Sequence, residues 1–225
     1  QQPTKIRILA NNHYSQRNMN EFNKIYIYRM THIGNIAHIL QYGLTHRNSV
    51  SANPDYIPIG DGSLINTRSV RLLPNSQPIG NYIPFYFAYR TPMLYVIQKG
   101  LNGLTIVEAE NIIYCVTSVK EVLDSKIDFV FTDGHAIEKL TTPYPSNQVN
   151  RINEILDYTA IHAKNWKDER DLDKKRRKEA ELLLAEDLPN KHILGYICYN
   201  DKARKTLISL GIPDRQIAIR PEYYF

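Results

Sequence analysis

Long apolar runs are missing from this 225-residue sequence. No stretch approaches the roughly 20 consecutive apolar residues that a membrane-spanning helix needs, and residues 1–12 lack the apolar stretch of a secretory signal. Cysteine is scarce, because Cys115 and Cys198 are the only two. Both lie in apolar runs, where a buried free thiol is the usual outcome. We therefore expect a cytoplasmic protein without a membrane partner or a disulfide framework.

The motifs of the common nucleotide-binding and hydrolytic folds are also absent. The sequence contains no G-x-x-x-x-G-K-[ST], no G-x-G-x-x-G after a strand, no H-E-x-x-H and no G-x-S-x-G. The seven histidines do not cluster at the spacing of metal ligands. Nothing here favours a P-loop enzyme, a Rossmann enzyme, a zinc protease or a serine hydrolase, and we expect no metal.

Positive charge is concentrated in the first part of the chain. The 28 Lys and Arg outnumber the 23 Asp and Glu, a net charge of +5. Residues 1–90 hold nine cationic side chains and three anionic ones, whereas residues 91–225 hold nineteen and twenty. Such a local surplus predicts an anionic partner, either a nucleic acid or a phosphate-bearing ligand, although a merely soluble basic surface has the same composition.

Strands dominate the predicted secondary structure. The run IYIYRM at residues 25–30 predicts a strand, followed by a helix that Thr31 caps and Gly43 ends. Further strands are predicted at residues 82–88, 93–98, 104–107, 112–116, 129–131, 181–185, 192–198 and 217–220, and helices at 150–163, capped by Ser146 or Asn147, and 202–210. The irregular alternation indicates an α+β fold with a largely antiparallel or mixed sheet.

Three local features point to function, each with a plainer alternative. Residues 45–77 are polar, and a loop of this length that carries arginines favours a functional segment. Glu181 directly precedes three leucines, a costly place for a carboxylate unless the protein uses it; the alternative is a helix-end pair with Arg176 and Arg177. The sixteen tyrosines suit base stacking but also a β-rich core. The charged run at residues 164–178 is interpreted as a solvated helical face.

Motifs in a fixed order resemble the DarT family, bacterial toxins that ADP-ribosylate DNA bases. The resemblance covers nearly the whole chain from residue 25 to residue 225. The matching motifs are YRMTHIGNI at residues 28–36, Arg68 with Arg71 and Pro74, YIPFYFA at 82–88 with PMLY at 92–95, TDG at 132–134, Trp166, RR at 176–177 with AELL at 180–183, and RPEYY at 220–224.

The resemblance implies an ADP-ribosyltransferase-like split mixed or antiparallel β-sheet core with flanking helices, which grips NAD. Residues 1–225 then form a single domain, with an N-terminal extension at 1–24 and an NAD- or substrate-facing loop region at 45–77. By position, Glu181 and Arg68 take the catalytic roles. The residues that the resemblance assigns to NAD are Arg29, Met30, Thr31, Asn35, His38, Leu44, Arg68 and Tyr86. Family members often have His where this chain has Arg29.

We expect DNA to lie across the positive N-terminal half. The candidates for phosphate and base contacts are Arg71, Tyr89, Arg90, His135 and Arg47. A carboxylate at Glu181 suits the oxocarbenium-like ribose that forms when nicotinamide leaves. The family view makes Arg68 the base that deprotonates the acceptor. Because a guanidinium has a pKa above roughly 12, stabilising the deprotonated base or the diphosphate is an equally good role.

We thus predict an NAD-dependent mono-ADP-ribosyltransferase that modifies a base in single-stranded DNA, the toxin of a toxin–antitoxin pair. The resemblance implies a macrodomain antitoxin of the DarG kind as its partner. One alternative is an ADP-ribosyltransferase that acts on RNA or protein, and another is a catalytically silent nucleic-acid-binding module of the same fold. The choice between thymine and guanine stays open at this stage.

Overall fold

The computed structural model describes residues 21–225, so residues 1–20 of the predicted N-terminal extension lie outside the described residues. The strands are β1 Tyr26–His32, β2 Ile83–Tyr86, β3 Ile112–Ser118, β4 Phe129–Thr132, β5 Pro143–Pro145, β6 Glu181–Leu184, β7 Gly195–Cys198 and β8 Ile217–Ile219. The α-helices are α1 Ile36–Tyr42, α2 Gly62–Val70, α3 Pro92–Lys99, α4 Val119–Ser125, α5 Ile152–Ile155, α6 Tyr158–Ile161, α7 Lys174–Lys178 and α8 Asp201–Ser209. Short 3-10 helices cover Ile33–Asn35, Ile79–Asn81, Leu101–Gly103, Ala109–Asn111, Ser146–Arg151, Asn190–His192, Asp214–Gln216 and Pro221–Tyr223.

Within residues 21–225 the strands form one sheet of eight, in the order β5-β4-β6-β2-β1-β3-β7-β8. Neighbouring strands are antiparallel except β7 and β8, which are parallel. The sheet is therefore mixed but largely antiparallel. This arrangement confirms the α+β class predicted from the sequence.

β1 pairs very unequally with its two neighbours. All seven of its residues pair with β3, whereas the register with β2 consists of Tyr28 opposite Tyr86. Beyond this pair β1 and β2 diverge, and residues 29–31 and 83–84 face each other across a cleft instead of a hydrogen-bonded ladder. The sheet is thus split at its centre, and the split forms a site.

The sheet packs against apolar side chains on both faces. Ile27 and Leu182 belong to the larger cluster, while Met30 and Ile97 belong to a second cluster on the other face. Full burial of one such side chain stabilises the fold by roughly 1.5–3 kcal/mol. β6 has the sequence ELLL and is buried along its whole length. Glu181 is therefore a buried carboxylate in an otherwise apolar strand.

Residues 93–98 form a helix, and the prediction of a strand there is wrong. The Thr91 hydroxyl accepts a hydrogen bond from the Leu94 amide, Pro92 occupies the first turn of α3, and Gly100 ends the helix in the left-handed conformation. These are ordinary signals for the start and end of a helix. The run MLYVIQ favours a strand by composition, and the end signals outweigh it. Residues 104–107, also predicted as a strand, belong to no strand or helix.

The interpretation of residues 45–77 as a loop is wrong for α2. Asp61 caps this helix, since its carboxylate accepts a hydrogen bond from the Ser63 amide at 2.8 Å. None of the nine residues of α2 is fully buried, so no apolar face marks it in the sequence. Thr31 is likewise wrong as a helix cap, because β1 continues through His32, whose imidazole accepts from the Gly34 amide at 3.0 Å.

The predicted helix at residues 150–163 is two short helices, α5 and α6. Leu156 has an extended backbone that interrupts them, and the Asp157 carboxylate caps α6 by accepting from the Ala160 amide. Ser146 and Asn147, the predicted caps, lie within a 3-10 helix that no side chain caps.

The charged run at residues 164–178 does more than form a solvated face. Arg177 makes ion pairs with Asp157, Asp171 and Asp173. Arg176 binds Asp173 and also Asp133 at the end of β4. Arg176 thus fastens the run to the end of β4, and Arg177 fastens it to the start of α6. The interpretation as a solvated face is therefore wrong for these two arginines.

The cysteine prediction is confirmed, because Cys115 and Cys198 are both buried and unpaired. Among residues 21–225 no helix is long and apolar enough to cross a membrane. The same residues contain no cluster of His, Cys, Asp and Glu that could hold a metal ion.

Gly43, the predicted end of α1, must be glycine for two reasons. Its φ is +81°, and a Cβ atom would lie 2.1 Å from the carbonyl oxygen of Leu188, which accepts a hydrogen bond from the Leu44 amide at 2.9 Å. We expect Gly43→Ala to lower the free energy of unfolding by about 2 kcal/mol or more. Urea denaturation measures this, with Gly62→Ala as the matched control, since a Cβ at Gly62 meets nothing within 4 Å. Equal stability of the two variants would contradict the account.

Candidate active site

A cavity of about 390 Å³ lies at the split between β1 and β2, within the size range of small-molecule sites. It is lined by residues of β1, α1, α2, α3 and β2, by the segment between α1 and α2, by Gly80 and Tyr82, and by His135. A groove between α1 and residues 50–55 adjoins it and shares His38, Ala52 and Asn53 with its wall. The predicted site residues that line the cavity are Arg29, Met30, Thr31, Asn35, His38, Leu44, Arg47, Arg68, Tyr86 and His135.

Glu181 lies behind the wall of this cavity, at the start of β6 and opposite Tyr86 of β2. Its side chain is 0% exposed. The Ala136 amide donates a hydrogen bond to Oε1 at 2.9 Å, and His135 Nε2 lies 3.8 Å from the same oxygen. A buried carboxylate with this many partners is prepared to carry negative charge.

Arg68 covers Glu181 on the cavity side. Its Nη2 donates to Oε2 at 2.8 Å and its Nη1 donates to Oε1 at 3.2 Å, the two-pronged geometry that suits a guanidinium and a carboxylate. The Arg68 side chain is itself 14% exposed, so it separates the carboxylate from the cavity. Any ligand that reaches Glu181 must first displace part of this ion pair.

The ion pair sets the charge of both partners. Burial alone would raise the pKa of Glu181, but the nearby Arg68 and His135 and hydrogen bonds from Arg68 and Ala136 outweigh it and hold that pKa below its usual range. Burial alone would lower the pKa of the Arg68 guanidinium, but the charge and hydrogen bonds of Glu181 raise it. Glu181 is therefore ionised and Arg68 protonated at neutral pH.

The turn after β4 supports the backbone of Glu181 through hydrogen bonds. The Glu181 amide donates to the Thr132 hydroxyl at 3.1 Å, and that hydroxyl donates to the Gly134 carbonyl at 2.7 Å. A Cβ at Gly134 would lie 2.9 Å from the Arg176 carbonyl oxygen, so glycine lets the turn approach the backbone of α7 this closely. Thr132 and Ala136 were not predicted as supports of Glu181, although the TDG run that contains Thr132 is part of the resemblance.

Asn35 lines the cavity, but its amide is already occupied. Its Nδ2 donates to the Thr31 hydroxyl at 3.0 Å and to the Ile57 carbonyl at 2.9 Å, while its Oδ1 accepts from the Ile57 amide at 2.9 Å. The side chain thus pins residues 56–60, which form one wall of the cavity. We call residues 56–60 the strap.

Arg29 brings a second guanidinium into the cavity. Its Nη1 donates to the Pro84 carbonyl at 3.3 Å, and its Nη2 donates to the Tyr56 hydroxyl of the strap at 3.5 Å. Tyr86 and Met93 contribute ring and thioether surface nearby. The pKa of Tyr86 lies well above its usual value, because burial and the negative charges of Glu181 and Glu179 outweigh the positive charge of Arg68. Its phenol therefore stays neutral.

Arg71, Tyr89 and Arg90 do not line the cavity. Arg71 follows α2 and donates to the carbonyl oxygens of Ile137 and Glu138. The Tyr89 ring stacks on that of Tyr223 with their centroids 3.4 Å apart. The Arg90 guanidinium carbon lies 4.3 Å from the centre of the Phe225 ring. Their assignment to DNA stays a prediction.

Two charged groups beside the site had no functional role in the sequence analysis. Burial raises the pKa of Glu179, against the influence of the neighbouring His135. Lys178 is also buried, and its Nζ donates to the Ile161 carbonyl at 3.0 Å. Burial lowers the pKa of Lys178 to about 8. Lys178 ends α7 and Glu179 follows it, two residues before β6, and both side chains are buried.

The chain is similar to DNA-modifying enzymes over most of its length. The family model described as "DarT: ssDNA thymidine ADP-ribosyltransferase" matches residues 28–225. A DNA ADP-ribosyl transferase of Escherichia coli (EPEC) is 33% identical over 187 residues, which cover 82% of this chain and 84% of that protein. A DNA ADP-ribosyl transferase–DNA ADP-ribosyl glycohydrolase fusion protein of Thermosipho africanus is 26% identical over 205 residues, 88% of this chain and 48% of the fusion.

Solved structures share the fold. Thermus sp. 2.9 DarT in complex with ADP-ribosylated ssDNA superimposes with a TM-score of 0.78 at 26% identity, covering 89% of this chain and 96% of that chain. The complex of the same protein with NAD+ superimposes with a TM-score of 0.73 at 27% identity, covering 89% and 98%. The fold that the resemblance implied is thereby confirmed.

Proposed function

The chain belongs to the DarT family of single-stranded DNA thymidine ADP-ribosyltransferases, and we propose that its cavity holds NAD against Glu181 while DNA approaches from outside. The family makes this chain an NAD-dependent DNA ADP-ribosyltransferase. One observation carries the assignment of the site: a fully buried carboxylate is kept ionised beside a cavity at the split of the sheet.

The chemistry of the cavity suits NAD. The guanidinium groups of Arg29 and Arg68 suit the diphosphate, and the surface of Tyr86 and Met93 suits the flat nicotinamide ring. The adjoining groove of about 550 Å³ offers room for the rest of the dinucleotide. We propose that NAD contacts Arg29, Met30, Thr31, His38, Leu44, Arg68 and Tyr86, and that Asn35 acts by holding the strap.

Glu181 acts on the ribose from which nicotinamide departs. Departure leaves positive charge on the ribose ring, and a carboxylate close by stabilises it while binding the ribose hydroxyls. For this, Arg68 must release at least one oxygen of Glu181, because both oxygens accept from it. The released guanidinium is then free to bind the diphosphate or the deprotonated thymine.

DNA binding is assigned to Arg71, Tyr89, Arg90, His135 and Arg47. Single-stranded DNA is the expected substrate, because chemistry at the edge of a base requires that base to leave its stack. Phosphate contacts make such binding weaken as salt concentration rises. We propose thymidine as the acceptor, in agreement with the description of the family.

We also propose that residues 1–225 act as one ADP-ribosyltransferase domain and as the toxin of a toxin–antitoxin pair. The expected antitoxin is a macrodomain protein of the DarG kind that removes the modification. The Thermosipho africanus relative supports this, because it carries a DNA ADP-ribosyl glycohydrolase in the same chain as the transferase.

Incubation with labelled NAD and separate DNA, RNA and protein substrates tests the function. We expect label to enter single-stranded DNA that contains thymidine, and not DNA that lacks it. Label in protein or RNA but not in DNA would contradict the proposed substrate. No transfer to any of them would favour a silent binding module.

The strap gives a further prediction. We expect Asn35→Ala to raise the KM for NAD about tenfold with kcat nearly unchanged, because the variant loses the bonds that pin Ile57 but no group that contacts the reacting atoms. Steady-state kinetics measure this, with Asn48→Ala as the matched control, since Asn48 bonds Asn81 outside the cavity. A fall in kcat with an unchanged KM would contradict the role of Asn35.

A further inference from the structure

Residues 44–53 follow α1 and form part of the cavity wall without belonging to a helix or to one of the eight strands. The members that line the cavity are Leu44, Thr45, His46, Arg47, Ala52 and Asn53. Residues 50–53 also line the adjoining groove, so the segment borders both parts of the proposed NAD site. An irregular segment has no ladder of backbone hydrogen bonds, so its position depends on bonds to the rest of the fold. We call residues 44–53 the tethered segment.

Asp187 binds the tethered segment with both oxygens of its carboxylate. The His46 amide donates to Oδ1 at 2.9 Å, and the Ser49 hydroxyl donates to Oδ2. The His46 Nε2 also lies 3.6 Å from Oδ1. A carboxylate accepts shorter and stronger hydrogen bonds than a neutral group does. One side chain therefore anchors the segment at two points.

The two anchored residues hold the rest of the turn. His46 Nδ1 accepts from the Asn48 amide at 3.2 Å, and the His46 carbonyl accepts from the Ser49 amide at 3.0 Å. Ser49 Oγ accepts from the Ser51 amide at 2.9 Å, and the Ser49 carbonyl accepts from the Ala52 amide at 3.1 Å. The shape of residues 46–52, at the junction of cavity and groove, thus depends on a single carboxylate.

Asp187 lies in the loop after β6, the strand that begins with Glu181. The next residue, Leu188, exchanges two backbone hydrogen bonds with Leu44, at 2.9 Å and 2.8 Å. The loop therefore connects the strand of the catalytic carboxylate to the wall that borders NAD. Asp187 itself does not line the cavity, and its side chain is 31% exposed. Any effect of Asp187 on a ligand must act through the tethered segment.

We propose that Asp187 is a positioning residue for NAD, which holds the tethered segment in the shape that the dinucleotide requires. The inference rests on the proposed function. A wall that is already ordered loses less conformational freedom when a ligand binds, so its affinity is higher. Without Asp187, the backbone pair of Leu44 and Leu188 still holds the start of the segment. Residues 46–52 then loosen while the sheet remains folded, and NAD affinity falls without a change in the chemical step.

Three measurements on Asp187→Ala and Asp187→Asn test the proposal. Hydrogen exchange without NAD measures the order of residues 46–52, calorimetry measures the Kd for NAD, and single-turnover transfer at saturating NAD measures the chemical step. Asp128→Ala is the matched control. The Asp128 carboxylate also accepts from a backbone amide, that of Phe129 at 2.9 Å, and from a serine hydroxyl, that of Ser146 at 2.6 Å. None of these three control residues lines the cavity.

We expect Asp187→Ala to raise the Kd for NAD about tenfold and to speed exchange of the His46 and Ser51 amides about tenfold, with the rate at saturating NAD within about threefold of wild type. Asp187→Asn keeps one oxygen as an acceptor, so its Kd should rise only about threefold. Ser49→Ala removes one of the same bonds from the other side and should add little to Asp187→Ala in the double variant. Asp128→Ala should leave the Kd unchanged.

An unchanged Kd in Asp187→Ala would overturn the proposal, and so would an equal rise in Asp128→Ala. Faster exchange with an unchanged Kd would show that the tether does not serve NAD. If Asp187→Ala does not fold, Asp187→Asn and Ser49→Ala carry the same test, and an unchanged Kd in both would overturn the proposal. A wild-type protein that binds no NAD would instead contradict the proposed function, and this inference with it.

Discussion

Glu181→Gln is expected to lower the rate of ADP-ribose transfer to DNA by about a thousandfold or more. The amide keeps the size of the side chain and can still accept from Ala136, but it cannot stabilise positive charge on the ribose. Because we assign many other residues of the cavity to NAD, its binding should weaken little. Single-turnover transfer from labelled NAD measures the rate, and calorimetry measures NAD binding.

Glu186→Gln is the matched control for this change. Glu186 lies two residues beyond β6 and is exposed, so the same loss of charge should leave transfer unchanged. If Glu181→Gln retained a tenth or more of the wild-type rate, the assignment of Glu181 as the catalytic carboxylate would be wrong.

Replacing Arg68 is expected to affect both catalysis and stability. Arg68→Met leaves Glu181 buried without its partner, and such a loss typically costs about 3–5 kcal/mol. Transfer should fall about a hundredfold or more, because the variant lacks the guanidinium that stabilises negative charge. Arg68→Lys should fail to restore the rate, since an ammonium cannot bond both carboxylate oxygens in the same geometry. Full turnover by the lysine variant would contradict a role specific to the guanidinium.

The stability loss in Arg68→Met should depend on pH. In the wild type the pKa of Glu181 is held below its usual value. The ionised carboxylate therefore stabilises the fold at pH values above the usual pKa of a glutamate, and this contribution is lost as pH falls through the lowered pKa. In Arg68→Met burial is no longer offset by the guanidinium, and the pKa of Glu181 should rise. A raised carboxyl pKa makes stability fall as pH increases, so the variant should lose more at pH 8 than at pH 5.

Urea denaturation at both pH values measures this difference. Arg71→Met is the matched control, because Arg71 donates to two backbone carbonyls and, among residues 21–225, to no carboxylate. Its cost should be the same at both pH values. The double variant Arg68→Met with Glu181→Gln removes both charges and should regain part of the lost stability. An equal loss at pH 5 and pH 8 would show that the ion pair does not set the charge of Glu181.

Much of the sheet could be predicted from the sequence because local composition decides it. The alternating aromatic and β-branched residues of β1 and the apolar run of β6 predict strands without reference to distant residues. Glu181 could be singled out for the same reason, as a carboxylate where a buried strand begins. The class of fold followed from the number of such strands and their irregular spacing.

The remaining features depend on contacts between distant parts of the chain. α2 has no buried face, and it is tied to the site through Arg68, which lies 113 residues from its partner Glu181. The MLYVIQ run forms a helix because Thr91 caps its start and Gly100 ends it, although its composition favours a strand. Asn35 could be placed at the cavity by resemblance, but its bonds to Ile57 depend on how a polar segment folds back. No pattern within a short stretch of sequence predicts such contacts between distant residues.

The most direct test of the central claim is tandem mass spectrometry of a single-stranded oligonucleotide that contains one thymidine, after incubation with NAD and enzyme. We expect one ADP-ribose on that thymine with wild type and with Glu186→Gln, and none with Glu181→Gln. ADP-ribose on another base, or equal yields from wild type and Glu181→Gln, would contradict it.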